Sequence, residues 1–300
     1  MKLRIYVIKK KHLIWAAIIL AIIIIAAVII ATRRSTNETL NHIGSQYTIK
    51  DDINNDGKID SIVINVDEKT KEYNLSVAMS DGKGYIIEAD KTIKTLGYYS
   101  PDWPMHVTVD DIDKDKVKEI IIQSKDKTGP ILSIFRFNND KFEKMASGRY
   151  QVYGLIKHPA SSNNFVVLGS RNNSSMNFNL FIAKEGKLTP VLSTLNNLSL
   201  GKDTIASFIE YVEKKEVEAF NQIIDNKLTS TIQNGNFEDA KITDIKYNKD
   251  GMPTDITYLV RTSVQSNSGN EALVYKVQMS LSKVEDKLPK YTITDLNIIK

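Results

Sequence analysis

Three kinds of apolar pattern divide this chain. Leu13 to Ala31 (LIWAAIILAIIIIAAVIIA) is apolar at every position, residues 46 to 195 carry short apolar runs bounded by Asp, Asn and Gly, and the part after residue 200 begins with helical spacing. The short runs predict β-strands, because alternation with period two lines one face of a sheet. After residue 200, Ile205, Phe208, Ile209 and Val212 fall on one helical face, and Phe220, Ile223, Ile224 and Leu228 on a second. Two consecutive helices are expected there, the first capped by Asp203. Long alternating runs follow in DITYLVRTSV, ALVYKVQMSL and KYTITDLNII, with NKDG and NSGN at turns. Leu273, Tyr275, Val277, Met279 and Leu281 share one face of the second run.

The uninterrupted apolar segment would reach roughly 28 Å as a helix, close to the ~30 Å of a bilayer's hydrocarbon core. A cleaved signal has a shorter apolar region of about 7 to 15 residues, so residues 13–31 are expected to be an uncleaved transmembrane anchor. Lys2, Arg4, Lys9, Lys10 and Lys11 precede it while Arg33 and Arg34 follow. That asymmetry makes residues 1–12 a cytoplasmic basic tail, 32–45 a spacer and the bulk of the chain extracytoplasmic.

Charge changes the picture once the tail is set apart. All 36 acidic residues follow the anchor, so the remaining 35 of the 40 Lys and Arg leave a net of −1. No basic stripe interleaved with aromatics remains for nucleic acid. The absence of cysteine excludes disulfides, thiolate metal sites, a thiol nucleophile and the lipid-accepting Cys of a lipoprotein. Any metal site must be built from oxygen or imidazole.

The strand-rich region repeats. Asp52, Asn54, Asp56 and Asp60 of DINNDGKIDSIVI align with Asp111, Asp113, Asp115 and Glu119 of DIDKDKVKEIIIQ. A third copy, QVYGL, IKHPASSNN and FVVLGS, keeps the outline and loses the acids. Tyr47 to Asp60, His106 to Glu119 and Gln151 to Asn164 are each thirteen positions apart, and each unit continues into a hairpin pattern with DG, ND or EG at the turn. Four short strands per unit, with units offset by 59 and 45 residues, is the size of a propeller blade. The longer offset is explained by the insertion at 89–103, whose Tyr98, Tyr99 and Trp103 offer a candidate stacking surface for a glycan or protein partner.

The first loop suits a hard divalent cation. Asp52, Asn54, Asp56 and Asp60 supply side-chain oxygens at positions 1, 3, 5 and 9, the Lys58 carbonyl stands at position 7, and Gly57 permits the turn at position 6. Position 12, where an EF-hand has Glu, is Val63. Without an ion these carboxylates repel one another, so calcium is expected as the cofactor. The second loop has Lys116 in place of the Gly and Lys114 and Lys118 among its acids, so internal salt bridges compete with a metal at Asp111, Asp113, Asp115 and Glu119.

The DxNxDGxxD motif followed by an apolar strand resembles FG-GAP or VCBS-type repeats of integrin-like proteins. That resemblance implies an all-β, propeller-like domain of three four-stranded units over residues 46–195. Helices followed by a curved sheet over residues 200–300 are similar to a nuclear-transport-factor-2-like α+β cone. None of the four His lies beyond Pro190, and no nucleophile, zinc or phosphate-loop motif is present, so no catalytic residue is assigned. The expected function is that of a non-catalytic, membrane-anchored protein of the bacterial cell envelope, binding envelope proteins or wall polymer through a calcium-stabilised repeat domain. The alternative is a hydrolase or small-ligand sensor using the cone cavity.

Overall fold

The computed structural model describes residues 46–299 apart from 102, 160, 162, 174, 192–197, 215–219, 267–268 and 286–287. The tail at 1–12, the anchor at 13–31 and the spacer at 32–45 lie outside the described residues. Among the described residues no helix is long and apolar enough to cross a membrane. The expectation of a single-pass protein with a cytoplasmic N-terminus, and of an anchored scaffold for envelope partners, finds no support in the structure and is set aside.

Each repeat is a four-stranded antiparallel meander. The first comprises β1 (Gln46–Asp51), β2 (Asp60–Val66), β3 (Tyr73–Ala78) and β4 (Gly84–Ile87). The second comprises β5 (His106–Asp110), β6 (Glu119–Asp126), β7 (Gly129–Asn138) and β8 (Lys141–Gly148). The third, β9 (Val152–Lys157), β10 (Asn164–Asn172), β11 (Ser175–Lys184) and β12 (Lys187–Pro190), does not stand alone. Its first strand pairs in parallel with β13 (Gly235–Tyr247), aligning Ala240 with Val152, Lys241 with Tyr153 and Ile242 with Gly154. The sheet then continues through β14 (Pro253–Ser266), β15 (Gly269–Glu285) and β16 (Leu288–Ile299), giving the eight-stranded order β12-β11-β10-β9-β13-β14-β15-β16.

The propeller-plus-cone expectation is therefore corrected to three open sheets of four, four and eight strands. The cause lies in β9. Its VYGLI run is buried on both faces, as an interior strand must be, whereas β1 and β5 interleave polar residues and remain edges. Gly154 allows the junction, since a Cβ there would fall 2.9 Å from Cβ of Ile242.

The sheets stack face to face. On β6, Ile120 and Ile122 pack with the first sheet's Ile62, Ile64 and Leu75, while Ile121 faces Tyr153, Val166 and Leu168 of the eight-stranded sheet. On β10, Val166 and Leu168 face the second sheet, while Phe165 and Val167 face the opposite way, into the largest core. There they meet α1 (Lys202–Lys214), whose Ile205, Phe208, Ile209 and Val212 are all buried. Each such side chain contributes about 1.5–3 kcal/mol by leaving water.

The second expected helix is broken. Phe220–Gln222 form a 3-10 turn and Asn226–Thr229 a single short helical turn, α2. Between them Ile224 bridges to Ile293 and the Ile223 carbonyl accepts from Ile293 N at 2.6 Å. Asp225 stays extended and caps α2 by accepting from Lys227 N at 2.9 Å. A strand contact has displaced the helix. The space expected to be a cone cavity is filled by Tyr258, Tyr275, Val277 and Met279 packed on α1.

Candidate metal centre

The two acidic loops, which link β1 to β2 and β5 to β6, have the same backbone design. In the first, Asp52 accepts from Asp56 N at 3.1 Å and Gly57 N at 3.0 Å, Asp56 accepts from Lys58 N at 2.8 Å, and Asp60 accepts from Ile53 N at 2.9 Å. In the second, Asp111 accepts from Asp115 N and Lys116 N, both at 3.1 Å, Asp115 from Val117 N at 3.0 Å, and Glu119 from Ile112 N at 2.8 Å. Left-handed residues recur at matching places, Asn55 and Gly57 in one loop, Lys114 and Lys116 in the other. Lys116 holds φ at +79° without the freedom of glycine, because the hydrogen bonds of Asp111 fix the turn.

Successive units are joined through these loops. Lys118 N donates to the Ile53 carbonyl at 2.8 Å, and Asn164 Nδ2 donates to the Ile112 carbonyl, the equivalent position one unit later, also at 2.8 Å. The third loop has replaced the buried carboxylate by a buried amide that ties it to its neighbour.

What faces the carboxylates differs. In the first loop Ser80 donates from N to Asp60 at 2.9 Å and from Oγ to Asp56 at 2.9 Å, and Asn54 Nδ2 reaches Asp56 at 3.4 Å. The Lys58 N–H and the Ser80 hydroxyl hold the Asp56 carboxyl below its usual range. Asp60 is fully buried. In the second loop Arg136 of β7 replaces the neutral donor. Its Nη1 donates to Asp113 at 2.7 Å and to Glu119 at 3.3 Å, and its Nη2 to Asp115. Gly186 N, from the β11–β12 turn, adds a hydrogen bond to Asp113 Oδ2 at 2.9 Å.

Asp111, Asp113 and Asp115 each present an oxygen within 4.8 Å of the others, a spacing that one ion can bridge. The Asp113 side chain is 1% exposed, yet its Oδ1 has no hydrogen-bond partner. A buried carboxylate oxygen without a donor is costly, and a hard cation is the group that would satisfy it. Burial pushes the Glu119 carboxyl up to about 8, the charges of Asp113 and Asp115 add to that, and the Ile112 N–H and Arg136 oppose it. For Asp115 burial acts in the same direction, but Arg136 and the Val117 N–H outweigh it and lower its proton affinity. The donor set therefore fits a divalent cation bound by hard oxygens.

The aromatic insertion packs back onto the protein. Trp103 is 2% exposed and lies under Lys125 and Arg261, 5.4 and 5.8 Å from its ring centroid. Tyr99 is half-buried with its ring 6.3 Å from that of Tyr73, and Tyr98 bridges to Glu72. A cleft of about 340 Å³ opens elsewhere, at the start of α1, lined by Lys202, Thr204, Ser207, Lys290 and Tyr291 among others.

Arg136, Ser80 and Gly186 were not singled out from the sequence. Arg136 left a trace, as a lone cation inside the apolar run ILSIFRF. The EG pattern places Gly186 in a hairpin turn, but no local pattern shows that it or Ser80 reaches an acidic loop.

No family model matches this chain, and no curated protein matches it in sequence. The resemblance to FG-GAP or VCBS repeats with a nuclear-transport-factor-2-like cone is withdrawn on that ground and on the open, shared sheet.

Proposed function

We propose that this chain is a non-catalytic calcium-binding β-protein, in which Asp111, Asp113 and Asp115 ligate one ion and Asp52, Asn54, Asp56, Asp60 and the Lys58 carbonyl a second. The observation that carries the reading is the buried, unpartnered Asp113 Oδ1 within a triad of close carboxylates. Calcium is favoured over magnesium because a flexible loop with several carboxylates suits six to eight oxygens at about 2.3–2.6 Å, whereas magnesium demands a tighter octahedron. A binding role is favoured over catalysis because backbone N–H groups fix Asp52, Asp56, Asp111 and Asp115 as oriented ligands.

Melting of the full chain in calcium and in chelator tests the reading. At an ion concentration about ten times the dissociation constant, one site adds roughly 1.4 kcal/mol. Asp113→Asn should remove the contribution of the second loop and Asp56→Ala that of the first. Identical melting curves for the wild type with and without calcium would overturn it.

A further inference from the structure

In the sheet register Arg136 on β7 lies opposite Glu119 on β6 and opposite Glu143 on β8. The guanidinium thus has a carboxylate on either side across the strands. It is engaged with the loop, bonding Asp113, Asp115 and Glu119. Asp113 and Asp115 are also groups a divalent ion would recruit, so guanidinium and ion cannot both have them in full. In the first loop, with the same backbone pattern, Asp56 and Asp60 meet the neutral Ser80 hydroxyl and amide, and the cation Lys118 pairs instead with the preceding Asp51.

The surroundings define where Arg136 can go. On one side Gly186 lies against its aliphatic stem, so close that a Cβ on the glycine would fall 2.8 Å from Arg136 Cδ. On the other side is Glu143, whose side chain is 41% exposed and bonded by Lys141 and Asn138, both movable surface groups. Lys141 and Asn138 hold the Glu143 carboxyl below its usual range, and the charge of Arg136 adds a smaller effect in the same direction.

We propose that Arg136 is a built-in competitor for the ion: it neutralises the second loop when divalent cations are scarce and swings from Asp113 and Asp115 toward Glu143 when one binds. This rests on the reading of the loop as an ion site. The second loop is then a conditional site of lower affinity than the first. Because Gly186 both bonds Asp113 and walls Arg136, exchange of guanidinium for ion also alters the β11–β12 turn at the edge of the eight-stranded sheet.

Calorimetric titration of the full chain with calcium tests this, using Asp111→Asn to identify the binding event that belongs to the second loop. Arg136→Gln should tighten that event by about tenfold or more, within the range common for coupled equilibria, and Arg136→Lys by less. Equal affinity in wild type and Arg136→Gln would overturn the competition while leaving the ion site in place. If no event depends on Asp111 in either protein, the ion reading fails and the competition with it. A measurement on the unaltered protein guards against misfolding of the variants: arginine-specific modification by phenylglyoxal, read by mass spectrometry, should be faster at Arg136 with calcium than with chelator. An unchanged or slower rate would also overturn the proposal.

Discussion

Arg261 on β14 donates from Nε to Asp239 on β13 at 2.5 Å, and both side chains are nearly dry, 11% and 2% exposed. The same guanidinium reaches Gln123 of β6 at 3.2 Å and lies over the Trp103 ring. One cation therefore ties the eight-stranded sheet to the second sheet and to the aromatic insertion. Asp239→Ala would leave that cation buried without its partner, and a cost of about 3–5 kcal/mol is expected in denaturant unfolding. Exchanging both partners for apolar residues, Asp239→Leu with Arg261→Met, should cost clearly less. Equal losses in the two proteins would show that the pair is not what holds the sheets together.

The join between β9 and β13 depends on the missing side chain at Gly154. Gly154→Ala drives a methyl against Ile242 and should cost about 1–3 kcal/mol, as overpacking does. Ile242→Ala in the same protein should recover part of that loss, because it removes the atoms the methyl strikes. Additive effects of the two substitutions would argue against a close contact at this position.

The amide of Asn164 ties the third unit to the second, alongside the Gly186 N–H bonded to Asp113. Asn164→Ala leaves the Ile112 carbonyl buried and unpaired, and about 1–3 kcal/mol of stability should be lost. Because Ile112 directly follows Asp111 in the second acidic loop, calcium affinity of the Asp111-dependent site should weaken in the same variant. A destabilised protein with unchanged calcium binding would separate the two roles.

Arg149 bonds both oxygens of Asp126 at 2.8 Å, and Thr128 adds a backbone and a hydroxyl donor. Burial pushes the Asp126 carboxyl up, but Arg149 and Thr128 outweigh it and bring it to about 2. A depressed carboxylate stabilises the fold above its unfolded value near 3.9, and that stabilisation is lost as pH falls through about 2. Since the Arg149 side chain is 39% exposed, solvent screening reduces the effect to roughly 1 kcal/mol. The difference in stability between wild type and Arg149→Gln should shrink as pH is lowered from 5 to 2. A gap that stays constant over this range would exclude the linkage.

Local chemistry was written into the sequence. Alternation specified the three meanders, because period-two patterning is a property of neighbouring residues, and the helical face of Ile205, Phe208, Ile209 and Val212 followed for the same reason. The acid spacing specified two loops of one design, since each carboxylate bonds backbone groups only a few residues away. Long-range pairing was decided by the tertiary structure. β13 escaped notice because Glu238, Asp239, Lys241 and Asp244 interrupt its apolar positions and register shifts at Phe237/Asp239 and Ile242/Asp244 break the alternation. Its inward charges are met from other strands, Arg261 bonding Asp239 and Lys125 Nζ bonding Glu238 at 3.0 Å. With β13 hidden, the union of the third unit with the C-terminal strands was hidden too, and a propeller followed by a cone was the natural misreading. Arg136 and Gly186 are likewise brought to Asp113 from 23 and 73 residues away. A loop's own residues fix which atoms can bind an ion, whereas the groups that compete for those atoms are set by how the sheets stack.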